Sequence, residues 1–173
     1  MRHILSFNHL AWYPTTKNHN PAPNGAIGIG MKINIADMDR PYYGEHTLTL
    51  ARHPSETDER MMVRLLAFAL FADERLEFGR GLSAEDEPAL WLKDYSGVIE
   101  RWIEVGLPDE KVLRRACGRS DEVVLLTYGG GKTVEAWWKP NEASLTKQEK
   151  LTVKSVSSPS SKALAQMADR ALD

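Results

Sequence analysis

Two acidic residues on one predicted strand are the first feature of this sequence that could do chemistry. Residues 100–106 alternate so that Glu100, Trp102, Glu104 and Gly106 share one strand face. Carboxylates four residues apart on a strand are separated by about 13 Å. A second element must therefore supply further ligands if either carboxylate is to hold a metal ion.

A third carboxylate, Glu59, belongs to a predicted helix. It lies in line with the apolar residues Leu66 and Leu70 of that helix. A carboxylate on a buried stripe needs a partner, because burying an unpaired charge is costly. The sequence leaves two partners open, a metal ion or an arginine such as Arg80.

Basic residues gather on the helix predicted to begin at Pro108. Lys111, Arg114, Arg115 and Arg119 form one basic edge. Arg114 and Arg115 would contact the phosphates of a nucleic acid bound there. The same edge also suits a solvated helix C-terminus, where cations interact favourably with the helix dipole.

Bulk composition limits the class of protein. The chain has 173 residues, 42% of them hydrophobic, and a net charge of -2, so no general basic field attracts nucleic acid. The single cysteine, Cys117, excludes an internal disulfide and a Cys-rich zinc site. No secretory signal is evident, and the longest apolar stretch, residues 65–72, is too short to span a bilayer. We therefore expect a cytoplasmic domain with no membrane partner.

The order of predicted elements indicates an α/β (α+β) domain. Residues 1–26 are rich in proline and asparagine and are predicted to be a flexible N-terminal extension, and the domain proper spans residues 27–173. Predicted strands cover residues 27–35, 42–50, 77–82, 90–105 as a hairpin, 123–128 and 151–156. Predicted helices cover residues 55–72 with Ser55 as N-cap, 108–117 with Gly118 as stop, a segment carrying Trp137 and Trp138, and a last helix from Ser158. These elements predict a single mixed β-sheet flanked by helices.

Four stretches between residues 48 and 109 resemble the YaeQ family. They are TLARHPSET (49–57), FGRGLS (78–83), DEPALW (86–91) and WIEVG (102–106). Weaker similarity extends back to residues 31–37 and forward through Trp137 and Trp138 to the final helix. The family pattern starts near the first strand, so residues 1–26 have no counterpart in it. Its closing C-terminal strands have no counterpart here either.

This resemblance implies a variation of the PD-(D/E)XK nuclease fold, with an αβββαβ core and an acidic Mg²⁺ site. The matched positions imply Glu104 and Asp86 as metal ligands and Glu59 as an auxiliary acid. Glu104 is preferred to Glu100 because its surroundings resemble the Ile-Glu-Val-Lys type of motif. In such nucleases the lysine two residues later stabilises developing charge. Here Gly106 occupies that position.

Other residues would have to replace the missing lysine. Lys93 on the neighbouring strand is the first catalytic candidate and Lys111 on the next helix the second. Glu87 is a further ligand candidate beside Asp86, although both also suit a solvated turn.

Two functions follow from these observations. The first is a Mg²⁺-dependent phosphodiesterase acting on nucleic acid. The second is a catalytically silent member of the fold that binds nucleic acid or a protein through the same cleft. The acidic residues favour the first function, whereas Gly106 and the mildly acidic net charge favour the second.

Overall fold

A three-stranded antiparallel sheet comes first along the chain. The computed structural model describes residues 11–13, 26–80 and 86–172. The sheet has the order β1 (Ala11–Tyr13), β2 (Ile27–Asp37) and β3 (Tyr42–Arg52). On β2 the predicted alternation buries Met31, Ile33 and Ile35 on one face. The predicted turn that follows is held by Asp37, whose Oδ1 accepts the backbone N–H groups of Asp39 and Arg40.

A five-stranded mixed sheet forms the larger part of the molecule. Its strands, in spatial order, are β4 (Leu76–Phe78), β5 (Leu90–Lys93), β6 (Ile99–Val105), β7 (Ser120–Thr127) and β8 (Leu151–Ser155). β4, β5 and β6 pair antiparallel, whereas β6, β7 and β8 pair parallel. The mixed sheet is confirmed, but β2 and β3 do not join it. These two strands pair with one another from Ile27↔Arg52 to Asp37↔Tyr42 as a local hairpin, which satisfies the backbone groups that face the partner strand.

In the part of the chain that the structure describes, four helices cover the sheets. They are α1 (Asp58–Leu70), α2 (Glu110–Arg119), α3 (Gly131–Leu145) and α4 (Ser158–Leu172). α1 packs into one core with both sheets, since Leu50 of β3, Phe68 of α1 and Ile103 of β6 share a cluster. On the opposite face of the mixed sheet, a second cluster joins Trp102 of β6 to Leu113 of α2 and to Leu145 at the end of α3.

The predicted element order is observed, although several boundaries differ. The order α1, β4, β5, β6, α2, β7 is the αβββαβ succession expected from the sequence. Thr57, not Ser55, is the N-cap of α1 and accepts the Arg60 N–H, because Ser55 bonds back to His53 in the preceding turn. α2 continues past Gly118 to Arg119.

The strand predicted at residues 77–82 is shorter than expected, and its second half lies partly outside the described residues. β4 ends at Phe78, and the next residue, Gly79, donates its N–H to the carbonyl oxygen of Ala89 at 3.0 Å. A Cβ on Gly79 would lie 2.0 Å from the carbonyl oxygen of Pro88, so only glycine permits this approach.

The predicted N-terminal extension lies mostly outside the described residues. Its described part, Ala11–Tyr13, forms a strand that pairs with β2 from Ala11↔Lys32 to Tyr13↔Gly30. In the parts of the chain that the structure describes, no helix is both long enough and apolar enough to cross a membrane.

Candidate functional site

Glu104 is a buried carboxyl group near the C-terminal end of β6. The residue is 8% exposed, and its Oε1 accepts a hydrogen bond of 2.9 Å from Nε1 of Trp102. Burial raises the pKa of Glu104 from 4.5 to about 7, while the Trp102 bond and the positive charge of Arg60 oppose that rise. The carboxyl group is therefore close to half protonated at neutral pH, which is typical of functional sites and of buried structural acids alike.

The backbone at the end of β6 accommodates glycine at position 106, where the sequence resemblance led us to expect a lysine. Gly106 donates its N–H to the carbonyl oxygen of Leu126 on the parallel strand β7, at 2.9 Å. Its φ is 102°, a left-handed conformation that strains any residue with a Cβ. A Cβ there would lie 3.8 Å from the ring of Tyr128, an ordinary contact, so the backbone conformation rather than lack of space disfavours a side chain. A lysine at position 106 would thus require a different backbone conformation.

The beginning of α1 approaches the same edge of the sheet. Glu59 accepts a hydrogen bond of 2.6 Å from the Ser161 hydroxyl on α4. Arg60 pairs with Glu56 at 2.5 Å and also influences the carboxyl of Glu104 and the hydroxyl of Tyr128. The side chain that contacts Glu59 is therefore the Ser161 hydroxyl, whereas Arg80 pairs with Glu87.

The two acids at the entrance to β5 have arginine partners of their own. Asp86 is exposed and pairs with Arg115 of α2 at 3.2 Å, while its carbonyl oxygen accepts Arg119 at 3.4 Å. Glu87 pairs with Arg80 at 2.6 Å, and the Arg80 guanidinium lowers the pKa of that carboxyl. Arg80 is thus the partner of Glu87, where the sequence suggested Glu59.

Glu100 does not share a regular strand face with Glu104. The pairing of β5 with β6 shifts register opposite Glu100, as in a β-bulge. As a result Ile99 and Trp102, an odd number of positions apart, pack in the same cluster. Glu100 instead pairs with Arg75 at 2.9 Å. The predicted alternation holds only for the C-terminal half of the strand.

Cations and tryptophans form a continuous arrangement on the α2 side of the mixed sheet. The Lys93 ammonium lies 3.3 Å from the ring centroid of Trp91. The Trp91 and Trp102 rings are 6.2 Å apart at 85°, and the Arg119 guanidinium lies 5.4 Å from Trp102. The sequence signal for this arrangement was Trp91 two residues before Lys93 on a strand, which places both on one face.

The basic edge predicted on α2 is present. Lys111, Arg114, Arg115 and Arg119 are all exposed, whereas Leu113, Ala116 and Cys117 are buried beneath them. We call Lys93, Lys111, Arg114, Arg115 and Arg119, together with Trp91, the cationic face. Lys93 therefore belongs with the α2 cations, and Asp86 is the acid that lies against them.

The predicted carboxylates do not fit a magnesium ion in this arrangement. Within residues 26–80 and 86–172, no three Asp, Glu, His or Cys side chains lie close enough to hold a metal. Mg²⁺ requires near-octahedral oxygen coordination. Glu104, Asp86 and Glu59 instead each have a separate protein partner, in Trp102, Arg115 and Ser161. The magnesium site stays a prediction that this geometry does not favour.

Comparison with known proteins places the chain in a family. The family described as YaeQ protein matches residues 26–173. The chain belongs to the YaeQ family. This confirms the resemblance read from the sequence.

Individual relatives cover most of the described fold. The chain is 49% identical to YaeQ of Escherichia coli (strain K12) over 121 residues, 70% of this chain but 66% of that relative's length. It is 44% identical to YaeQ of Salmonella typhi over 140 residues, 81% of this chain and 77% of the relative.

Two solved YaeQ structures have the same fold. The YaeQ protein from Xanthomonas axonopodis pv. citri superposes with a TM-score of 0.71 at 56% identity, covering 75% of this chain and 73% of the other. The YaeQ protein from Pseudomonas syringae gives a TM-score of 0.71 at 40% identity, covering 75% and 70%. The names of these relatives state no substrate and no reaction.

Proposed function

We propose that this YaeQ protein binds nucleic acid through its cationic face and does not cleave it. The element order corresponds to the PD-(D/E)XK core, which supports a relationship to nucleases. The carboxylates that such chemistry requires have separate partners, and the backbone at Gly106 disfavours the lysine. The proposal therefore keeps the nucleic-acid partner of that fold and omits its metal-dependent reaction.

The observation that carries the proposal is the charge distribution on α2. This helix has four cations, Lys111, Arg114, Arg115 and Arg119, and one acid, Glu110. Its Arg119 lies over Trp102, the Trp102 ring contacts Trp91, and Lys93 lies over Trp91. Since the whole chain has a net charge of -2, this is a local concentration of positive charge. Lysine and arginine side chains bind phosphates by releasing condensed counterions.

A cytoplasmic location belongs to the same proposal. Nucleic acids are abundant in that compartment, and Cys117 is buried as an unpaired cysteine, which suits a reducing environment.

The test is a titration of a labelled oligonucleotide, followed by fluorescence anisotropy at several salt concentrations. Replacing Lys111 and Arg114 together by glutamine should weaken binding and reduce the slope of log affinity against log salt by about 1 for each phosphate that is no longer neutralised. The matched control replaces Lys32 and Lys162, which are exposed on β2 and α4 away from the cationic face. Equally weakened binding in both double variants would show that binding does not occur at this face.

A second experiment tests whether the protein cleaves nucleic acid. Incubation of wild type with the same oligonucleotide and Mg²⁺ or Mn²⁺ should give no product above that of Glu104→Gln. Cleavage that requires the metal and disappears in Glu104→Gln would replace the binding proposal by the phosphodiesterase.

A further inference from the structure

Trp91 is an aromatic side chain that the fold holds at the surface. It is half-buried on β5, and its ring meets Trp102 at 85° with centroids 6.2 Å apart. Trp102 is 1% exposed and is fixed by its hydrogen bond to Glu104. Trp91 therefore rests on an immobile neighbour, and little side-chain entropy remains to be lost when something binds to it.

The group next to Trp91 is a cation. The Lys93 ammonium lies 3.3 Å from the ring centroid, so one side of the ring is in contact with positive charge. Glu87, a carboxylate whose pKa Lys93 also lowers, is bonded to Arg80. The long side chain of Lys93 is flexible, so its ammonium can move from the ring to a phosphate while a base takes its place on the ring.

The charges around Trp91 indicate the path of a bound nucleic-acid backbone across the protein surface. Glu77 on β4 is exposed and lies directly opposite Trp91 in the β4–β5 register, which disfavours a phosphate on that side. On the other side, Arg119 lies over Trp102, and Arg115 follows one turn earlier on α2. A phosphate backbone is thus favoured from Lys93 towards α2 and away from β4.

We propose that Trp91 is a stacking platform for an unpaired base, so that the partner of this protein is single-stranded nucleic acid. The inference rests on the proposed function, and it adds the substrate class. A base inside a duplex is stacked on its neighbours and has no open face for a tryptophan, whereas unpaired bases stack on aromatic side chains next to a basic groove.

The experiment uses the full chain and three labelled probes. They are an oligothymidylate, the same length of backbone with abasic sites, and a duplex. Trp91→Leu should weaken oligothymidylate binding about 5- to 150-fold, the equivalent of 1–3 kcal/mol for one stacked base, and leave abasic binding unchanged. The matched control is Trp138→Leu on α3, which replaces another half-buried tryptophan and should alter binding to neither probe.

A second variant, Trp91→Tyr, tests whether weaker binding by Trp91→Leu comes from lost stacking rather than from misfolding. Trp91→Tyr keeps an aromatic face, and its tryptophan fluorescence should be quenched less than that of wild type when oligothymidylate binds. Three results would each overturn the inference. The first is equal quenching in Trp91→Tyr and wild type, and the second is equal weakening by Trp91→Leu for the oligothymidylate and the abasic probe. The third is binding of wild type to the duplex as tight as to the single strand. If wild type binds none of the probes, the proposed function falls with it. If it binds and Trp91→Leu matches wild type, only the stacking platform is wrong.

Discussion

At the scale of single residues, Glu104 shows how burial changes the meaning of a carboxylate. In a metal site built from several carboxylates, repulsion between like charges would raise the pKa of at least one carboxyl group. The pKa of Glu104 is raised, but desolvation is the leading cause and no acidic residue is among the main ones. The group that contacts it is Trp102, a neutral donor. Burial therefore shifts the equilibrium of this carboxyl group towards its neutral form relative to an exposed glutamate.

This environment makes folding stability depend on pH. The folded pKa of Glu104 is about 7, above its ordinary 4.5. As pH rises from about 4.5 to 7, the unfolded chain therefore ionises first, and the free energy of unfolding should fall by up to about 3 kcal/mol. Glu104→Gln keeps an oxygen for Trp102 but cannot ionise, so it should lack this decrease and be relatively more stable at pH 8.

The measurement is denaturant unfolding of wild type and variant between pH 4 and 8. Glu77→Gln, which changes an exposed acid, is the control. If the free energies of unfolding of wild type and Glu104→Gln change in parallel between pH 4 and 8, Glu104 does not titrate as a buried acid with a raised pKa.

Two glycines make a contrasting pair at the same scale. Gly79→Ala would place a Cβ 2.0 Å from the Pro88 carbonyl oxygen, so β4 and β5 must separate, and we expect a loss of about 1–3 kcal/mol or more. A Cβ on Gly118, inside α2, meets no atom within 4 Å. Gly118→Ala should therefore stabilise the protein by about 0.5–1 kcal/mol. Thermal unfolding of both variants tests the pair, and similar midpoints would show that the backbone at Gly79 adjusts easily.

At the scale of elements, α1 is tied to both sheets by one buried ion pair. The Arg64 side chain is fully buried, and its Nη1 bonds Glu56 and the carbonyl oxygen of Ala51, each at 3.0 Å. Its Nη2 contacts the carbonyl oxygen of Gly79 at 3.4 Å. Arg64 thus connects α1 to the end of β3 and to the end of β4, which sets the position of Glu59 and Arg60 on the first turn.

Removing one member of this pair should be strongly destabilising. Arg64→Met removes one of the two guanidinium groups that contact buried Glu56 and the Arg64 bonds to the carbonyl oxygens of Ala51 and Gly79, so we expect a loss of about 3–5 kcal/mol in denaturant unfolding. The surface pair Lys139–Glu135 on α3 is the control, and Lys139→Met should change stability by less than about 1 kcal/mol. A comparably small effect of Arg64→Met would mean that water replaces the guanidinium.

At the scale of the whole molecule, the two sheets share one core. Residues of β2 and β3 meet residues of β5, β6 and β7 around α1, and Leu50 is fully buried at this junction. The second cluster, on the α2 side, is smaller and lies beneath the cationic face. The proposed binding surface therefore lies over a part of the mixed sheet that is packed on both faces.

A shared core predicts cooperative unfolding. Leu50→Ala should cost about 2–5 kcal/mol, and the burial of Trp102 in the other sheet should be lost in the same transition. Tryptophan fluorescence and far-ultraviolet circular dichroism, followed together, should give coincident curves. The control is Leu151→Ala on the edge strand β8, which is half-buried and should cost less. Separate transitions for the two probes would show that each sheet unfolds independently.

Local chemistry in the sequence determined the elements and the family. The alternation of Met31, Ile33 and Ile35 predicted β2, and the apolar run at residues 123–128 predicted a strand buried on both faces, because side-chain periodicity depends only on neighbours in the chain. The basic edge of α2 was likewise predictable, since helical spacing alone puts Lys111, Arg114 and Arg115 on one side.

Tertiary structure decided which side chains meet. The sequence could place Glu104 on β6 and Asp86 before β5, but ion pairs form between residues that are distant in the chain, and no periodicity reveals that Asp86 faces Arg115 or that Glu59 faces Ser161. The bulge opposite Glu100 and the left-handed backbone at Gly106 depend on strand pairing, so alternation alone misplaced Glu100. The raised pKa of Glu104 is set mainly by desolvation, a property of the packed interior that only the folded chain possesses.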